Sequence, residues 1–307
     1  MAESLVSVII VNYNGKKFLG DCISSVKQNA RYSHEIIVVD NASTDGSAEY
    51  VENNFPGVSI VRAKKNLGFT AGNNLGAKSA KGKYLLLLNN DTRLITSLTP
   101  ALREFDNDKK LGALGCRMYF DGGGFQASFG YEHTPLRIIL TWTGLYRFTG
   151  STLVREIDEN ESSYAKPRDV DWVTGAFLMT PKSLWDNLGG LDENYFMYVE
   201  DGDYCKRARQ AGFRVAYTPN VEIIHYRGGG RPWGGERALF NQMDSYVTYT
   251  RKFHNGFVLF FFRTALGTIM SCRALAYFLL GLFNNKAGLS EKQRAFFGAA
   301  LRLLKIR

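Results

Sequence analysis

The sequence predicts an α/β fold: a mainly parallel, Rossmann-like sheet with helices on both faces, followed by amphipathic helices at the C-terminal end. Three observations point there. The runs SVIIV (Ser7–Val11), EIIVV (Glu35–Val39) and LLLL (Leu85–Leu88) do not alternate apolar with polar residues. They therefore suit strands covered on both sides. Segments of helical spacing separate these runs, and right-handed crossovers then make neighbouring strands parallel. Each run also breaks abruptly into amides and carboxylates, at the edge where open α/β sheets bind ligands.

Ser7–Val11 ends in the turn Asn12-Tyr13-Asn14-Gly15. From Phe18 to Gln28 the residues Phe18, Leu19, Cys22, Ile23 and Val26 share one helical face. Glu35–Val39 ends in Asp40-Asn41-Ala42-Ser43-Thr44-Asp45-Gly46, and a helix follows over Ser47–Asn53. Val58–Arg62 is a third strand, and the small, polar Gly68–Ala80 reads as a helix packed closely on its neighbours. The central strand then ends in Asn89-Asn90-Asp91-Thr92. One acid there would serve equally as a helix N-cap. Two strands ending in acids at one edge, Asp40 and Asp91, favour a ligand-binding rim.

Residues 95–170 are less periodic and include the turn Asp121-Gly122-Gly123-Gly124 and a polar patch over Arg155–Ser163. They read as an insertion or lid on the acceptor side. Order returns with a strand over Asp171–Met179 and a helix over Lys182–Leu188. Glu200, Asp201 and Asp203 then head a helix that closes at Gly212. Acids at a helix N-terminus also cap it. Three on one turn, after an aromatic run, should raise the pKa of at least one and suit it to base chemistry. A strand pair, Arg214–Tyr217 and Val221–Tyr226, delivers His225 beside the basic loop Arg227-Gly228-Gly229-Gly230-Arg231, a place for an anion or a metal–phosphate. A lone histidine is otherwise more often structural.

Charge divides the chain. Residues 251–307 hold ten Lys and Arg against the single acid Glu291, so the first 250 residues carry 28 basic and 28 acidic side chains. A neutral body argues against a nucleic-acid groove. Cys22, Cys116, Cys205 and Cys272 are scattered and form no CxxC, which suggests thiols in a reducing compartment and no zinc site. The start of the chain lacks a basic n-region and reads as a first strand. The first turn offers one glycine where a dinucleotide fold needs G-x-G-x-x-G, and there is no Walker sequence.

Asp40 after EIIVV, Asn66-Leu67-Gly68-Phe69 with Asn74, the acid ending LLLLNND, the Glu200-Asp201 pair and the later His225 together resemble glycosyltransferase family 2, whose members are inverting enzymes of the GT-A fold. The resemblance covers roughly residues 5–235. Within the family, the NND ending and EDGDYCKRARQAGFRV look most like bacterial rhamnosyltransferases of cell-wall and O-antigen assembly.

The resemblance implies that Asp40 bonds a uracil or thymine ring and that the Asn12–Asn14 turn lines the nucleotide pocket, with Asn41, Asn66, Gly68, Asn74 and Asn90 in the same set. Asp91 would hold Mg²⁺ or Mn²⁺ on the diphosphate, His225 completing the shell. Asp201 would be the general base beside Glu200. Trp172, the turn Thr174-Gly175-Ala176 and Asp203 would shape the sugar pocket. The family's D-x-D is here Asn89-Asn90-Asp91, so the first carboxylate is missing and weaker metal binding is expected. The Q-x-x-R-W of processive members is absent, which favours addition of a single sugar.

The implied reaction is transfer from a dTDP- or UDP-sugar, L-rhamnose foremost, to a lipid-linked or cell-surface glycan. A nucleotidyltransferase would need a Gly-rich loop after the first strand, which NYNGKKFL does not supply. A scaffold without turnover would be supported only by the missing acid. The expected domains are 1–250 and a basic helical tail, 251–307. Gly256–Phe283 is long enough to span a bilayer, but Arg263 and Arg273 interrupt it. The tail is therefore expected to lie on the inner face of the cell membrane, basic residues toward anionic head groups. A packed helical subdomain or a homo-oligomer interface is the alternative.

Overall fold

The computed structural model describes residues 6–29, 31–144, 155–226, 235–283 and 288–305. The basic glycine loop at 227–231 lies outside them. The chain divides into two compact units. The first comprises Met1–Glu132, Ile157–Phe196 and Glu200–Gly229, the second His133–Glu156, Met197–Val199 and Gly230–Arg307.

In the first unit, β1 (Val6–Asn12), β2 (His34–Asp40), β3 (Ser59–Arg62) and β4 (Tyr84–Leu88) are linked by α1 (Lys16–Asn29), α2 (Ser47–Asn54) and α3 (Gly68–Ser79). The four strands are parallel, in the order β3-β2-β1-β4. Alternate residues of each buried run face opposite layers, as the strand period of two requires. Val8, Ile10, Leu86 and Leu88 join a core with Leu19, Ile23 and Val26 of α1. Ile9, Ile37, Leu85 and Leu87 join another with Ala77 of α3. Four successive leucines are thus required because both faces are dry. The small residues of α3 permit close packing: a Cβ on Gly76 would lie 2.6 Å from Ile9 Cγ2 and 2.9 Å from Val39 Cγ2.

Beyond β4 the sheet departs from expectation. A short strand, β5 (Thr92–Leu94), precedes the segment read as an insertion, which contains α4 (Thr99–Asn107) and β6 (Leu111–Tyr119). β6 is buried along most of its length and lies inside the sheet. Its glycines and Arg117 hid it, because they interrupt the apolar run. A hairpin follows to β7 (Phe125–Gln126), then β8 (Phe129–Gly130). Helix α5 (Pro135–Thr143) belongs to the second unit.

The strand expected over Asp171–Met179 is two. After β9 (Arg168–Asp169), β10 (Trp172–Val173) pairs with β8, while β11 (Phe177–Pro181) runs antiparallel to β4 and β6. A turn at Thr174–Ala176 separates them. Helices α6 (Lys182–Leu188) and α7 (Glu200–Gln210) cover one face. The expected strand pair after Gly212 is one strand, β12 (Arg214–His225), parallel to β6. Its register shifts between Thr218 and Glu222, at Pro219, which has no N–H to donate to a ladder. Among the described residues the sheet has ten strands, with the path β3-β2-β1-β4-β11-β6-β12-β5.

The second unit contains α5, α8 (Gly235–Phe253), α9 (Gly256–Phe283) and α10 (Leu289–Leu304). Its polar centre is buried: Glu156 takes His133 Nδ1 at 2.9 Å on one oxygen and the Tyr246 hydroxyl at 2.9 Å on the other. Helix α9 buries only a narrow stripe, Phe262, Leu266, Gly267, Met270 and Ala274.

Candidate active site

Every expected site residue lies in the first unit. The ends of β1 and β2 are in register, Asn12 opposite Asp40. Asn12 is buried; its Nδ2 donates to Ser47 Oγ at 2.8 Å, and its Oδ1 accepts from Asn90 Nδ2 at 2.7 Å. This amide bridge ties the end of β1 to the end of β4. Asp40 accepts the Ser43 N–H at 3.1 Å, closing the turn after β2. Asn14, with a positive φ of 52°, accepts the Thr44 N–H at 2.7 Å. The two loops above the sheet edge are therefore knitted together.

Asn41, Asn66 and Gly68 form the adjoining wall. Asn41 Nδ2 donates to the Gly68 carbonyl at 2.9 Å, and Asn66 Oδ1 accepts the Gly68 N–H at 2.9 Å. Gly68 has φ of 81°, and a Cβ there would lie 2.3 Å from the Phe196 carbonyl oxygen, so both conformation and space demand glycine. Asn74 does not join this wall. Its amide is spent on the Leu191 backbone, donating to the carbonyl at 2.8 Å and accepting the N–H at 3.0 Å.

Asp91 and His225 converge because β5 runs antiparallel to β12, with His225 opposite Thr92. His225 Nε2 lies 3.3 Å from Asp91 Oδ1. Asn89, at the first position of the missing D-x-D, brings its Nδ2 to 3.4 Å from the same ring nitrogen. Gln126, which the sequence did not single out, places Nε2 3.0 Å from His225 Nδ1. Among the described residues no third His, Cys, Asp or Glu completes a metal-binding cluster. Nearby Cys22 is not a candidate ligand, since burial pushes its thiol up to about 12. A carboxylate and an imidazole fit Mg²⁺ or Mn²⁺ by donor type.

The turn between β10 and β11 connects this rim to the acids of α7. The Asn89 N–H donates to the Ala176 carbonyl at 3.1 Å, and the Gly175 N–H donates to Asp201 Oδ2 at 2.9 Å. Thr174 Oγ1 accepts the Ala176 N–H at 3.3 Å, stiffening the turn. Asp201 Oδ1 also accepts the Gly202 N–H at 2.8 Å, so backbone donors orient the carboxylate.

The three acids of α7 separate by environment. Glu200 is only 4% exposed, and its Oε2 has no hydrogen-bond partner. Burial, then the charges of Asp201 and Asp203, raises its pKa well above the usual carboxylate range. The expected upward shift thus falls on Glu200, a buried carboxyl with one oxygen unpartnered. Asp203 is fully buried and accepts from Arg207 Nε at 2.6 Å and Tyr195 Oη at 3.3 Å, a fixed ion pair. Trp172 donates its Nε1–H to the Tyr131 carbonyl at 2.9 Å and packs in the core.

A parallel half-sheet with acids at its carboxyl edge, joined through one turn to a backbone-held carboxylate, defines a glycosyltransferase of the GT-A fold that uses a nucleotide-sugar donor. The chain belongs to glycosyltransferase family 2: the family model Glycosyl transferase family 2 matches residues 7–170. It is similar to N-acetylglucosaminyl-diphospho-decaprenol L-rhamnosyltransferase of Mycobacterium tuberculosis (strain CDC 1551 / Oshkosh), with 26% identity over 252 residues, covering 73% of this chain and 76% of the relative. A shorter stretch of 57 residues is 44% identical to rhamnosyltransferase WbbL of Escherichia coli (strain K12), covering 19% of this chain and 22% of that protein. Among solved structures it resembles GalNAc-T7 with UDP, GalNAc and Mn²⁺, at a TM-score of 0.61 and 15% identity, over 99% of this chain and 57% of that one.

Proposed function

We propose that this protein is an inverting, metal-dependent transferase that moves a single L-rhamnose from dTDP-rhamnose to a polyprenyl-diphosphate-linked glycan. The observation that carries this reading is the line of contacts from Asp91 and His225 through Asn89 and the Thr174–Ala176 turn to Asp201. It sets a hard-cation donor set and a general base on one connected frame. The mycobacterial relative's name describes rhamnosyl transfer to such a lipid-linked acceptor.

Asp201 takes the proton of the acceptor hydroxyl as that oxygen attacks the anomeric carbon from the face opposite the nucleotide. Its two backbone N–H donors hold it in place, and Glu200, kept neutral by burial, adds no second negative charge beside it. Asp40 and the Asn12–Asn14 turn bind the base of the nucleotide. Asn41, Asn66 and Gly68 shape the adjoining wall, and Gly175 and Ala176 bound the sugar. Asp91, His225 and Asn89 would hold the cation, which when bound neutralises charge on the departing nucleoside diphosphate.

The second unit supplies a membrane-facing surface in this reading. Helix α9 is 28 residues long and, among the described residues, is the one helix apolar and long enough to cross a membrane. Phe257, Phe260, Phe261, Leu275, Phe278, Leu279 and Leu282 are exposed along one side of it. Thr264 and Thr268 on that side donate back to the carbonyls of Phe260 and Thr264, both at 2.9 Å, so the stripe presents no unsatisfied hydroxyl. The expectation that Arg263 and Arg273 face anionic head groups is corrected. Arg263 donates to the Leu303 carbonyl at 2.9 Å, and Arg273 Nη2 donates to the Trp142 carbonyl at 2.7 Å. Both neutralise helix C-termini inside the unit. Apolar burial in the inner-leaflet interface, more than charge, is the proposed anchor.

The testing experiment offers dTDP-rhamnose, UDP-hexoses and UDP-galactofuranose with bacterial lipid extract, in Mg²⁺, Mn²⁺ or EDTA, and reads the product anomer by NMR. Inverted rhamnose in the metal-containing arms alone supports the reading. Transfer from a UDP-sugar instead replaces the donor, and binding without transfer favours a scaffold.

A further inference from the structure

Gln126 has no part in the reaction described above, yet it is the side chain on the far nitrogen of His225. It is 4% exposed, on the short strand β7, opposite Met118 of β6. Met118 is also opposite Ile223 of β12, two residues before His225 and on the same strand face, which places Gln126 and His225 on either side of β6. The amide Nε2 is 3.0 Å from His225 Nδ1, while Gln126 Oε1 is buried with no hydrogen-bond partner. That arrangement fixes the ring. With Nε2–H of the amide donating at 3.0 Å, Nδ1 is the lone-pair nitrogen and the imidazole proton sits on Nε2, aimed at Asp91 Oδ1 3.3 Å away; the longer 3.4 Å contact of Asn89 Nδ2 with that nitrogen is then not a hydrogen bond. An imidazole nitrogen carrying a proton cannot bind a metal.

Turning the Gln126 amide by 180° reverses the assignment. The orphaned Oε1 would then accept a proton on Nδ1, and Nε2 would present its lone pair beside Asp91 and Asn89. One proton leaves Nε2 and one arrives at Nδ1, exchanged with solvent, with no change in net charge. We propose that Gln126 is a positioning residue that sets the tautomer of His225, its carbonyl toward Nδ1 in the cation-binding state and its amide nitrogen toward Nδ1 in the closed, Asp91-bonded state. This rests on the reading of Asp91 and His225 as cation ligands. A neutral amide can serve both states, whereas a carboxylate can only accept and an aliphatic side chain can do neither.

The test uses the full chain labelled with ¹⁵N-histidine, the His225 signal being assigned by its loss in His225→Gln. Ring ¹⁵N shifts are recorded with and without Mg²⁺ plus dTDP or UDP, and Mg²⁺ affinity is measured by calorimetry, for wild type, Gln126→Leu and Gln126→Glu. Wild type should show the proton on Nε2 without Mg²⁺ and on Nδ1 with it. Gln126→Glu should hold the proton on Nδ1 in both conditions. Gln126→Leu should lose the preference and bind Mg²⁺ roughly 10–100-fold more weakly, the usual effect of removing the partner that orients a ligating histidine. Unchanged ring shifts and affinity in both variants would overturn the proposal. If wild type binds no Mg²⁺ while its ring shifts still respond to the substitutions, the cation reading fails and the tautomer assignment stands.

Discussion

Replacing Glu200 by Gln isolates one buried proton. The carboxyl is almost wholly buried and one oxygen lacks a partner, so burial, with the charges of Asp201 and Asp203 behind it, holds the proton on in the folded state. In the unfolded chain the same group ionises near the ordinary 4.5. Above that value the folded state binds one proton more than the unfolded state, so stability must fall as pH rises. It stops falling only above the raised folded-state pKa. One proton corresponds to about 1.4 kcal/mol per pH unit for as long as the folded state holds it and the unfolded state does not. The neutral amide of Glu200→Gln cannot titrate. Its unmet hydrogen bonds shift the whole curve by a constant and leave the slope alone. Urea unfolding at several pH values should therefore show wild type losing stability relative to the variant toward neutral pH, with transfer activity similar in both because the amide keeps the neutral state that burial already imposes. Parallel curves would refute a protonated Glu200.

Asp201→Asn keeps one acceptor oxygen for the two backbone donors Gly175 and Gly202; it should retain nucleotide binding but lower turnover by about 10²–10⁴-fold, the range for loss of a general base, and single-turnover kinetics with a donor-binding titration checks both. Leu87→Ala, in a strand dry on both faces, should cost about 2–5 kcal/mol, read as a shift of the urea midpoint. Phe260→Glu combined with Leu279→Glu alters only exposed positions of α9 and should abolish flotation with liposomes of inner-membrane composition while leaving the circular dichroism spectrum intact. EDTA should remove transfer activity without lowering the melting temperature, because the hydrogen bonds that assemble the rim run between protein groups.

Much of the first ninety-four residues was legible because fully buried strands leave unbroken apolar runs and their ends are marked by polar turns. β6 was not, since Gly112, Gly115 and Arg117 break its run and its burial comes from β11 and β12, distant in sequence. The bulge at Pro219 disguised one strand as two for the opposite reason: a local break without a change of partner. At the site, Asp91 and His225 were legible as strand-ending residues. The division of labour among Glu200, Asp201 and Asp203 was not, because adjacent helical positions differ by about 100° in direction and only packing decides which one faces inward. Gln126 left no local signal at all; its role depends on a cross-sheet register.

The amide bridge between Asn12 and Asn90 has a consequence for how this enzyme could change its chemistry. Two strand ends laced by neutral amides hold together through hydrogen bonds that carry no net charge. The residues beside this bridge, Asn89 among them, can therefore be exchanged without taking from the strand ends the bonds that join them.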